Sequence, residues 1–187
     1  MYKLCKTEQS AKRQRELEQG LLEMMQHAQF DEISVSDLCD RMNLPRKSFY
    51  RYFSSKDGAL YALLDHTLLE FYETGSIEGL RGGTPIGDLE RFFKFWKSRK
   101  TLINALLRSN LAGILFERSV NLAKQEELMP GYVHKWEDTL QDIAMNFVVC
   151  GLLSMVLQWH MGGYQIPIEQ MTQAAVTMLS RPLIPSL

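Results

Sequence analysis

The chain has few cysteines, and they are far apart. Its 187 residues include Cys5, Cys39 and Cys150 and four histidines, none at short regular spacing. Disulfide scaffolds and zinc sites need cysteines and histidines in close, repeated patterns. The sequence therefore predicts no metal site, and its isolated thiols indicate a reducing cytoplasm.

Long hydrophobic runs are also missing. The first residues, MYKLCKTEQSAKRQRELEQ, contain no apolar segment of the kind found in signal peptides. The longest largely apolar run, Phe147 to Leu157, falls well short of the roughly 20 residues that a membrane helix needs. We expect a soluble cytoplasmic protein with no membrane partner.

Catalytic motifs and an excess of one charge are absent too. We find no phosphate-binding loop, nucleophile elbow or paired catalytic carboxylates, so we expect neither an enzyme nor a cofactor. Lys and Arg number 21 against 22 Asp and Glu, which gives no overall attraction to nucleic acid. The cations are in slight excess only in the segment that ends at Lys56.

Helical periodicity fills most of the chain, whereas strand-like alternation is absent. Apolar residues recur at spacings of three and four, and the one Gly-rich stretch is residues 74–87. Ser34 with Asp37 predicts a capped helix start, and Ser54 with Asp57 repeats the pattern. Asn43 suits a left-handed turn before Pro45. Short helices at this spacing predict an all-α protein with an N-terminal helix-turn-helix.

The segment NLPRKSFYRYFSSK, residues 43–56, mixes basic and aromatic residues within two turns. Phe49 and Phe53 lie four residues apart and are the expected anchors into the core. The residues then expected to point outward, as in a helix that enters the major groove of DNA, are Arg46, Lys47, Ser48, Arg51 and one or both of Tyr50 and Tyr52. Lys56 is placed for a phosphate oxygen. An ordinary exposed amphipathic helix is the alternative.

The longer segment FDEISVSDLCDRMNLPRKSFYRYFSSKDGAL, residues 30–60, resembles the N-terminal DNA-binding domain of TetR-family transcriptional regulators. The resemblance rests on Ser34-Val35, on Cys39 after Leu38, on the FYRYF core and on Lys56. It implies a helix-turn-helix domain over residues 1–55, joined by a long helix to a helical effector-binding and dimerisation domain over 56–187. Asn43 and Pro45 depart from the family's usual glycine and its frequent capping Ser or Thr.

The resemblance also implies how such a protein works. It would be a homodimer that binds a roughly palindromic DNA operator, and a small-molecule effector would move the long helix that follows Ser54 and weaken DNA binding. The DNA-binding residues that it implies are Ser34, Ser36, Arg46, Lys47, Ser48, Tyr50, Arg51, Tyr52 and Lys56.

The C-terminal part shows no comparable motif, so its expectations rest on composition. Apolar pockets with a few polar groups are typical of small-molecule sites. The candidates for pocket residues are Trp96, Asn110, Phe116 and Trp136, although aromatic residues at helical spacing also form plain core. The candidates for a dimer interface are Val148, Gly151, Leu152, Met155, Met171, Ala174, Ala175 and Met178, where small residues allow close helix approach.

Three functions remain open at this point. The first is a ligand-responsive transcriptional regulator, a repressor in the leading interpretation. The second is a helical protein-interaction module that docks a partner on RKSFYRYF. The third is an all-α carrier or enzyme in which the helix-turn-helix is only structural.

Overall fold

The computed structural model describes residues 1–3, 5–78, 85–125 and 138–180, which are helical over most of their length. The helices are α1 (Glu8–Met24), α2 (Val35–Arg41), α3 (Arg46–Phe49), α4 (Lys56–Glu78), α5 (Pro85–Ser98), α6 (Lys100–Arg108), α7 (Ala112–Gln125), α8 (Asp138–Met161) and α9 (Ile168–Ser180). A 3-10 turn, Phe30–Glu32, lies between α1 and α2. The prediction of an all-α fold is confirmed.

The helices divide into two compact units. The first unit comprises Met1–Thr67 and Thr101–Arg118, and the second comprises Leu68–Lys100 and Ser119–Leu187. Beyond residues 1–55, the first unit includes about half of α4, most of α6 and the first half of α7. Both α4 and α7 contribute residues to each unit.

The first unit is built around α1. Leu17 and Leu21 on one face of α1 and Met25, its C-cap, are fully buried, and Leu38 of α2 lies in the same core. Gly20 permits this approach, because a Cβ at that position would lie 2.6 Å from Met42 Sδ. α2 packs on both α1 and α3. The common core stabilises α2 and α3, which are too short to be stable alone.

Two of the local structures predicted from sequence are present. Ser34 Oγ accepts from the Asp37 amide at 3.1 Å while Asp37 Oδ2 accepts from the Ser34 amide at 2.9 Å, which is the capping box. This bonding lowers the pKa of the Asp37 carboxyl. Asn43 has a φ of 50°, so the turn between α2 and α3 is left-handed as expected.

The predicted cap of α4 was wrong by one residue. Ser55 Oγ, not Ser54 Oγ, accepts from a first-turn amide, that of Gly58, at 3.2 Å. Ser54 instead donates its hydroxyl to the carbonyl oxygen of Met1 at 2.8 Å. Adjacent serines offer the same capping chemistry, and the N-terminal residues decide which of them is used.

The second unit consists of α5, α8 and α9, together with the C-terminal parts of α4 and α7. α5 packs on both α8 and α9, and these two also pack on each other. Phe93 and Trp96 of α5 are buried, whereas Lys94 and Lys97 between them are exposed. The face of α8 formed by Val149, Leu153 and Val156 is buried in the same core.

One described helix segment has the length and composition of a membrane span. It is Asp142–Met161 within α8, with a mean hydropathy of 1.5 and 39% of the segment buried. Core helices of soluble proteins pass the same test, so this is weak support for a membrane helix.

A buried carboxylate and imidazole form a pair inside the first unit. Glu18 of α1 is 2% exposed, and its two carboxylate oxygens lie 3.0 and 2.9 Å from His66 Nδ1 of α4. Burial raises the pKa of Glu18 to about 8, while Arg15 acts in the opposite direction. In the folded protein the pair therefore retains a proton near neutral pH, which a solvated Glu18 would release.

This pair makes stability depend on pH. The folded-state pKa of Glu18 exceeds the unfolded value, so its contribution is fully present below about pH 4.5 and is lost as the pH rises through about 8. We predict that Glu18→Gln gains stability relative to the parent chain as the pH rises from 6 to 8, by about 1 kcal/mol per pH unit. Urea unfolding at several pH values measures this difference. Glu16→Gln, at a partly exposed site on the same helix, is the control and should show parallel curves. Parallel curves for Glu18→Gln as well would contradict the proton assignment.

Candidate nucleic-acid interface and effector cavity

One face of α3 is buried in the helix-turn-helix, and this burial leaves the opposite face exposed. Phe49 is 0% exposed and Phe53 is 1% exposed, with ring centroids 5.1 Å apart. Pro45, with φ of −69°, is the N-cap of α3 rather than its first helical residue, and no side chain caps the helix start. The anchoring roles predicted for the two phenylalanines are confirmed.

Opposite these anchors lies a basic, hydroxyl-bearing surface, which we call the α3 face. Arg46, Lys47, Tyr50 and Arg51 are all exposed there. A guanidinium nitrogen of Arg46 donates to the Tyr50 hydroxyl at 3.4 Å, so these two side chains lie together. Tyr50 is 44% exposed, whereas Tyr52 is only 9% exposed and packs beside Phe53. Of the two tyrosines, only Tyr50 belongs to the α3 face.

The serines predicted to meet DNA occupy different environments. Ser34 is exposed at the start of α2, and its hydroxyl hydrogen remains available because its oxygen only accepts in the capping box. Ser36 and Ser48 are partly buried at the beginnings of α2 and α3. Hydroxyls at such positions can donate to phosphate oxygens while the helices lie across the duplex.

Lys56 has a structural task that the sequence did not reveal. Its ammonium donates to the carbonyl oxygens of Phe30 and, at 2.7 Å, Ile33, and it lies 4.3 Å from the centre of the Phe30 ring. It thereby ties the first turn of α4 to the segment that precedes α2. One N–H remains for a phosphate, but the charge is largely engaged within the protein.

The N-terminal residues 1–3 pair with the end of the helix-turn-helix. Tyr2 forms an antiparallel bridge with Phe53, and the Lys3 amide donates to the carbonyl of Tyr52 at 2.9 Å. A Cβ on Gly58 would lie 2.5 Å from the Met1 carbonyl oxygen, so glycine is needed for this approach. The sequence analysis did not predict this pairing. The glycine at position 58, in the first turn of α4, is the one residue that could have indicated it.

A polar network joins α4 to α7 within the first unit. The Arg118 guanidinium contacts both oxygens of Asp65, with Nε to Oδ1 at 2.6 Å, and the Tyr2 hydroxyl donates to Asp65 Oδ2 at 2.7 Å. Asp65 is 6% exposed, so this bidentate ion pair is shielded from solvent. Burial, then the bond to Asp65, raises the pKa of the Tyr2 phenol.

The second unit contains a cavity of about 120 Å³. Its walls are mainly aromatic and aliphatic, from Phe71, Tyr72, Phe92, Trp96, Leu152 and Leu153. The Phe71 and Phe92 rings meet edge to face at 5.8 Å, as do Phe92 and Trp96 at 6.4 Å. Such a cavity has the apolar character of small-molecule sites.

The four pocket candidates from sequence lie in different places. Trp96 lines the cavity. Asn110 is exposed in the turn between α6 and α7, with a φ of 56°, and Phe116 belongs to the first unit, so neither lines it. Trp136 lies outside the described residues. Periodicity marks an aromatic residue as inward-facing but does not indicate which core it enters.

Three polar residues join the cavity wall. Asp88 Oδ1 and Arg91 Nη2 lie 3.7 Å apart, and Arg91 Nη1 also donates to the Phe71 carbonyl at 2.8 Å. Ser119 of α7 is the third and is 3% exposed. Sequence reasoning missed all three, because isolated polar residues in helices give no periodic signal. Among the described residues, no cluster of three or more His, Cys, Asp or Glu could hold a metal.

The outer face of α8 carries apolar side chains without cover from the described residues. Leu140, Ile143 and Phe147 are 44%, 59% and 64% exposed. Gly151 continues this face, and a Cβ there meets no described atom within 4 Å. We call Leu140, Ile143, Phe147 and Gly151 the α8 face.

The residues proposed for a dimer interface are only partly accessible. Gly151 and Met178 are exposed, and Val148, Met155 and Ala174 are partly exposed. Leu152, Met171 and Ala175 are buried inside the unit and cannot form the outer surface of a contact. Leu140, Ile143 and Phe147 were not among the candidates, because the exposed side of a largely apolar helix cannot be identified from its own sequence.

Residues 20–63 match the sequence profile of bacterial regulatory proteins of the tetR family, a range that spans the helix-turn-helix. This segment is a tetR-family domain. No curated protein sequence matches it significantly.

TetR-like structures share its architecture. The fatty acid degradation regulator FadR from Bacillus halodurans superimposes with a TM-score of 0.62 at 15% identity, over 91% of this chain and 96% of that one. The TetR family repressor AlkX from Dietzia sp. strain DQ12-45-1b, implicated in n-alkane biodegradation, gives 0.55 at 18%, over 87% and 91%. The dihydroxyacetone kinase operon activator DhaS gives 0.54 at 15%, over 89% and 93%. At these identities the likeness shows the fold alone.

The TetR-family domain contains two lysines, Lys56 with a structural role and Lys47 on the surface. A matched pair of variants distinguishes these two roles. Lys56→Met keeps the apolar stem but removes two hydrogen bonds to carbonyl oxygens, so we predict a loss of about 2 kcal/mol in the free energy of unfolding. Lys47→Met, on the α3 face, should change stability by less than about 0.5 kcal/mol. Urea unfolding followed by circular dichroism measures both. Equal effects of the two substitutions would rule out the structural role of Lys56.

Proposed function

We propose that the chain is a ligand-responsive transcriptional repressor that acts in the cytoplasm as a homodimer on a palindromic operator. The observation that carries this proposal is the α3 face. Arg46, Lys47, Tyr50 and Arg51 are exposed on a helix whose opposite side is fixed by Phe49 and Phe53. The TetR-family match supplies the DNA-binding context.

The chemistry of the α3 face suits the major groove. An arginine or lysine there can donate to guanine O6 and N7, and each good bidentate contact discriminates by about 1–3 kcal/mol. Tyr50 offers a hydroxyl beside Arg46, and Ser34 and Ser36 lie on α2, which in this motif crosses the phosphate backbone. We assign base contacts to Arg46 and Lys47, and base or phosphate contacts to Ser48, Tyr50 and Arg51.

Two charged or hydroxyl residues have smaller roles in this proposal. Tyr52 is buried, and Lys56 already binds two backbone carbonyl oxygens. Both therefore act on DNA binding mainly by holding α3 and α4 in place.

Repression follows from occupancy of the DNA alone, whereas activation needs a further surface that contacts the transcription machinery. AlkX is named as a repressor and DhaS as an activator, so the shared fold is compatible with repression and with activation. Transcription in vitro from a promoter that overlaps the selected operator tests the direction, and an increase in transcript would contradict repression.

Selection from random DNA at about 0.1 M salt tests the operator proposal. We predict enrichment of an inverted repeat, bound with a log–log salt slope near −5 to −8 if about 6–9 phosphates are neutralised. Lys47→Ala should weaken binding about 10- to 100-fold and relax the sequence preference at the base pair that Lys47 contacts. Lys100→Ala, an exposed cation outside the first unit, is the matched control. Folded protein that enriches no sequence would favour the protein-interaction module instead.

The homodimer proposal is supported by the α8 face. Exposed Ile143 and Phe147 would lose water contact against a second copy, and Gly151 allows two helices to approach closely. Val148, Met155, Ala174 and Met178 extend this surface on α8 and α9, whereas Leu152, Met171 and Ala175 support it from within.

A charge placed in the α8 face should separate the subunits. We predict that Phe147→Asp weakens the dimer at least about 100-fold, because it buries an unpaired carboxylate in the contact. Ile86→Asp is the control, since Ile86 is an equally exposed apolar residue on α5. Gly151→Leu should also weaken the dimer without disturbing the subunit. Light scattering across a concentration series gives the result, and an unchanged dimer for Phe147→Asp would refute this placement.

The ligand response is supported by the helices that line the cavity. α4 carries Leu68, Phe71 and Tyr72 in the cavity wall and Asp65 in the DNA-binding unit. An occupant that favours one position of α4 would change the population of chains able to bind the operator. The differential affinity sets the size of the response, commonly about 1–3 kcal/mol.

A further inference from the structure

Ser119 is a buried hydroxyl without a hydrogen-bond partner among the described residues. Its side chain is 3% exposed and lines the cavity of the second unit. Buried hydroxyls are nearly always bonded, because leaving one unpaired costs stability. Ser119 is therefore a place where a ligand would restore a missing interaction.

Several other helical hydroxyls bond to their own backbone, whereas Thr172 Oγ1 of α9, outside the cavity lining, shares the unpartnered state of Ser119. Thr67, Thr177 and Ser180 donate to the carbonyl oxygens four residues earlier, at 2.8, 2.8 and 2.6 Å. This is the usual way in which Ser and Thr are satisfied within a helix. No such bond is present for Ser119, whose Oγ is buried in the wall of the cavity.

The size of the cavity restricts its occupant. Its volume is about 120 Å³, close to that of an engineered cavity of about 150 Å³ that binds benzene. The neighbouring Phe71, Phe92 and Trp96 rings provide apolar surface suited to a compact ring. A single ring with few substituents fits the enclosed part of this space.

The charged residues of the cavity wall restrict the class of ligand further. Asp88 and Arg91 are the charged residues of the described lining, and they have opposite signs and lie 3.7 Å apart. Arg91 also donates to the Phe71 carbonyl. Burial raises the pKa of Tyr72 to about 12, so the Tyr72 phenol stays neutral at physiological pH. A charged ligand would lose its hydration without gaining an unpaired counter-charge from these residues.

We propose that the cavity binds a compact, neutral, mainly apolar molecule with one hydrogen-bonding oxygen, of the phenol or monocyclic alcohol class, and that Ser119 Oγ pairs with this oxygen. The inference rests on the proposed function, because it takes the cavity to be the effector site. Ser119 sets the orientation, and the aromatic walls supply most of the contact area.

Calorimetric titration of the full chain with three probes tests the chemical class. Phenol should bind about tenfold more tightly than toluene, which has a similar shape but no hydroxyl, and tenfold corresponds to about 1.4 kcal/mol. Benzoate at pH 7 should bind at least tenfold more weakly than phenol. Equal affinities for phenol and toluene would overturn the role of the hydroxyl, and tight benzoate binding would overturn the neutral class.

Two variants and one control assign the effect to Ser119. Ser119→Ala should remove the preference for phenol and leave toluene affinity unchanged, whereas Ser98→Ala, at an exposed hydroxyl on α5, should behave as the parent chain. Val149→Phe, in the cavity wall, should weaken both probes by filling the space. If Ser119→Ala still prefers phenol, or if Val149→Phe still binds both probes, then the probes do not bind in this cavity beside Ser119.

Operator binding is measured separately, so the two proposals fail independently. An enriched operator with no binding of any probe would overturn the ligand class and leave the DNA-binding proposal standing. Phenol binding that depends on Ser119, with no enriched DNA, would overturn the proposed function and leave the cavity chemistry standing. Phenol that weakens operator binding only when Ser119 is present would support both.

Discussion

The DNA-binding unit depends on the burial of Phe49 and Phe53. α3 contains only four residues, and isolated helices of this length are not stable in water. The two rings fix its position from behind, while the left-handed Asn43 and the restricted φ of Pro45 define its start. Every exposed group on the α3 face takes its direction from these anchors. Loss of either ring would therefore leave α3 without a fixed position, although every charge of the α3 face would remain.

Charged residues serve two different purposes in this chain. Lys47 and Arg51 remain in solvent, where their charge is available to a partner. Lys56 and Arg118 instead face carbonyl or carboxylate oxygens inside the first unit, where exclusion of water strengthens each contact. The formal charge of the N-terminal segment therefore overstates the charge that it can offer to a phosphate backbone.

The sequence predicted those features that depend on neighbouring residues. The Ser34–Asp37 capping box, the turn at Asn43 and the anchors Phe49 and Phe53 all follow from local chemistry and helical spacing. Features that join distant segments could not be predicted in this way. The bonds from Lys56 to the turn before α2, and the choice between Ser54 and Ser55 as the cap, depend on tertiary partners. Likewise, no pattern distinguishes Ser119 from a hydroxyl bonded to its own helix.

Arg118 and Ser119 are consecutive residues of α7, and they differ in their surroundings. Arg118 pairs with Asp65, and Ser119 faces the cavity. Consecutive side chains leave a helix about 100° apart, so neighbouring positions of α7 can belong to two different polar environments. Linkage between two binding events is reciprocal. Under the proposed function, reciprocity means that operator DNA lowers the affinity of the cavity for its ligand by the same factor by which that ligand lowers the affinity for the operator.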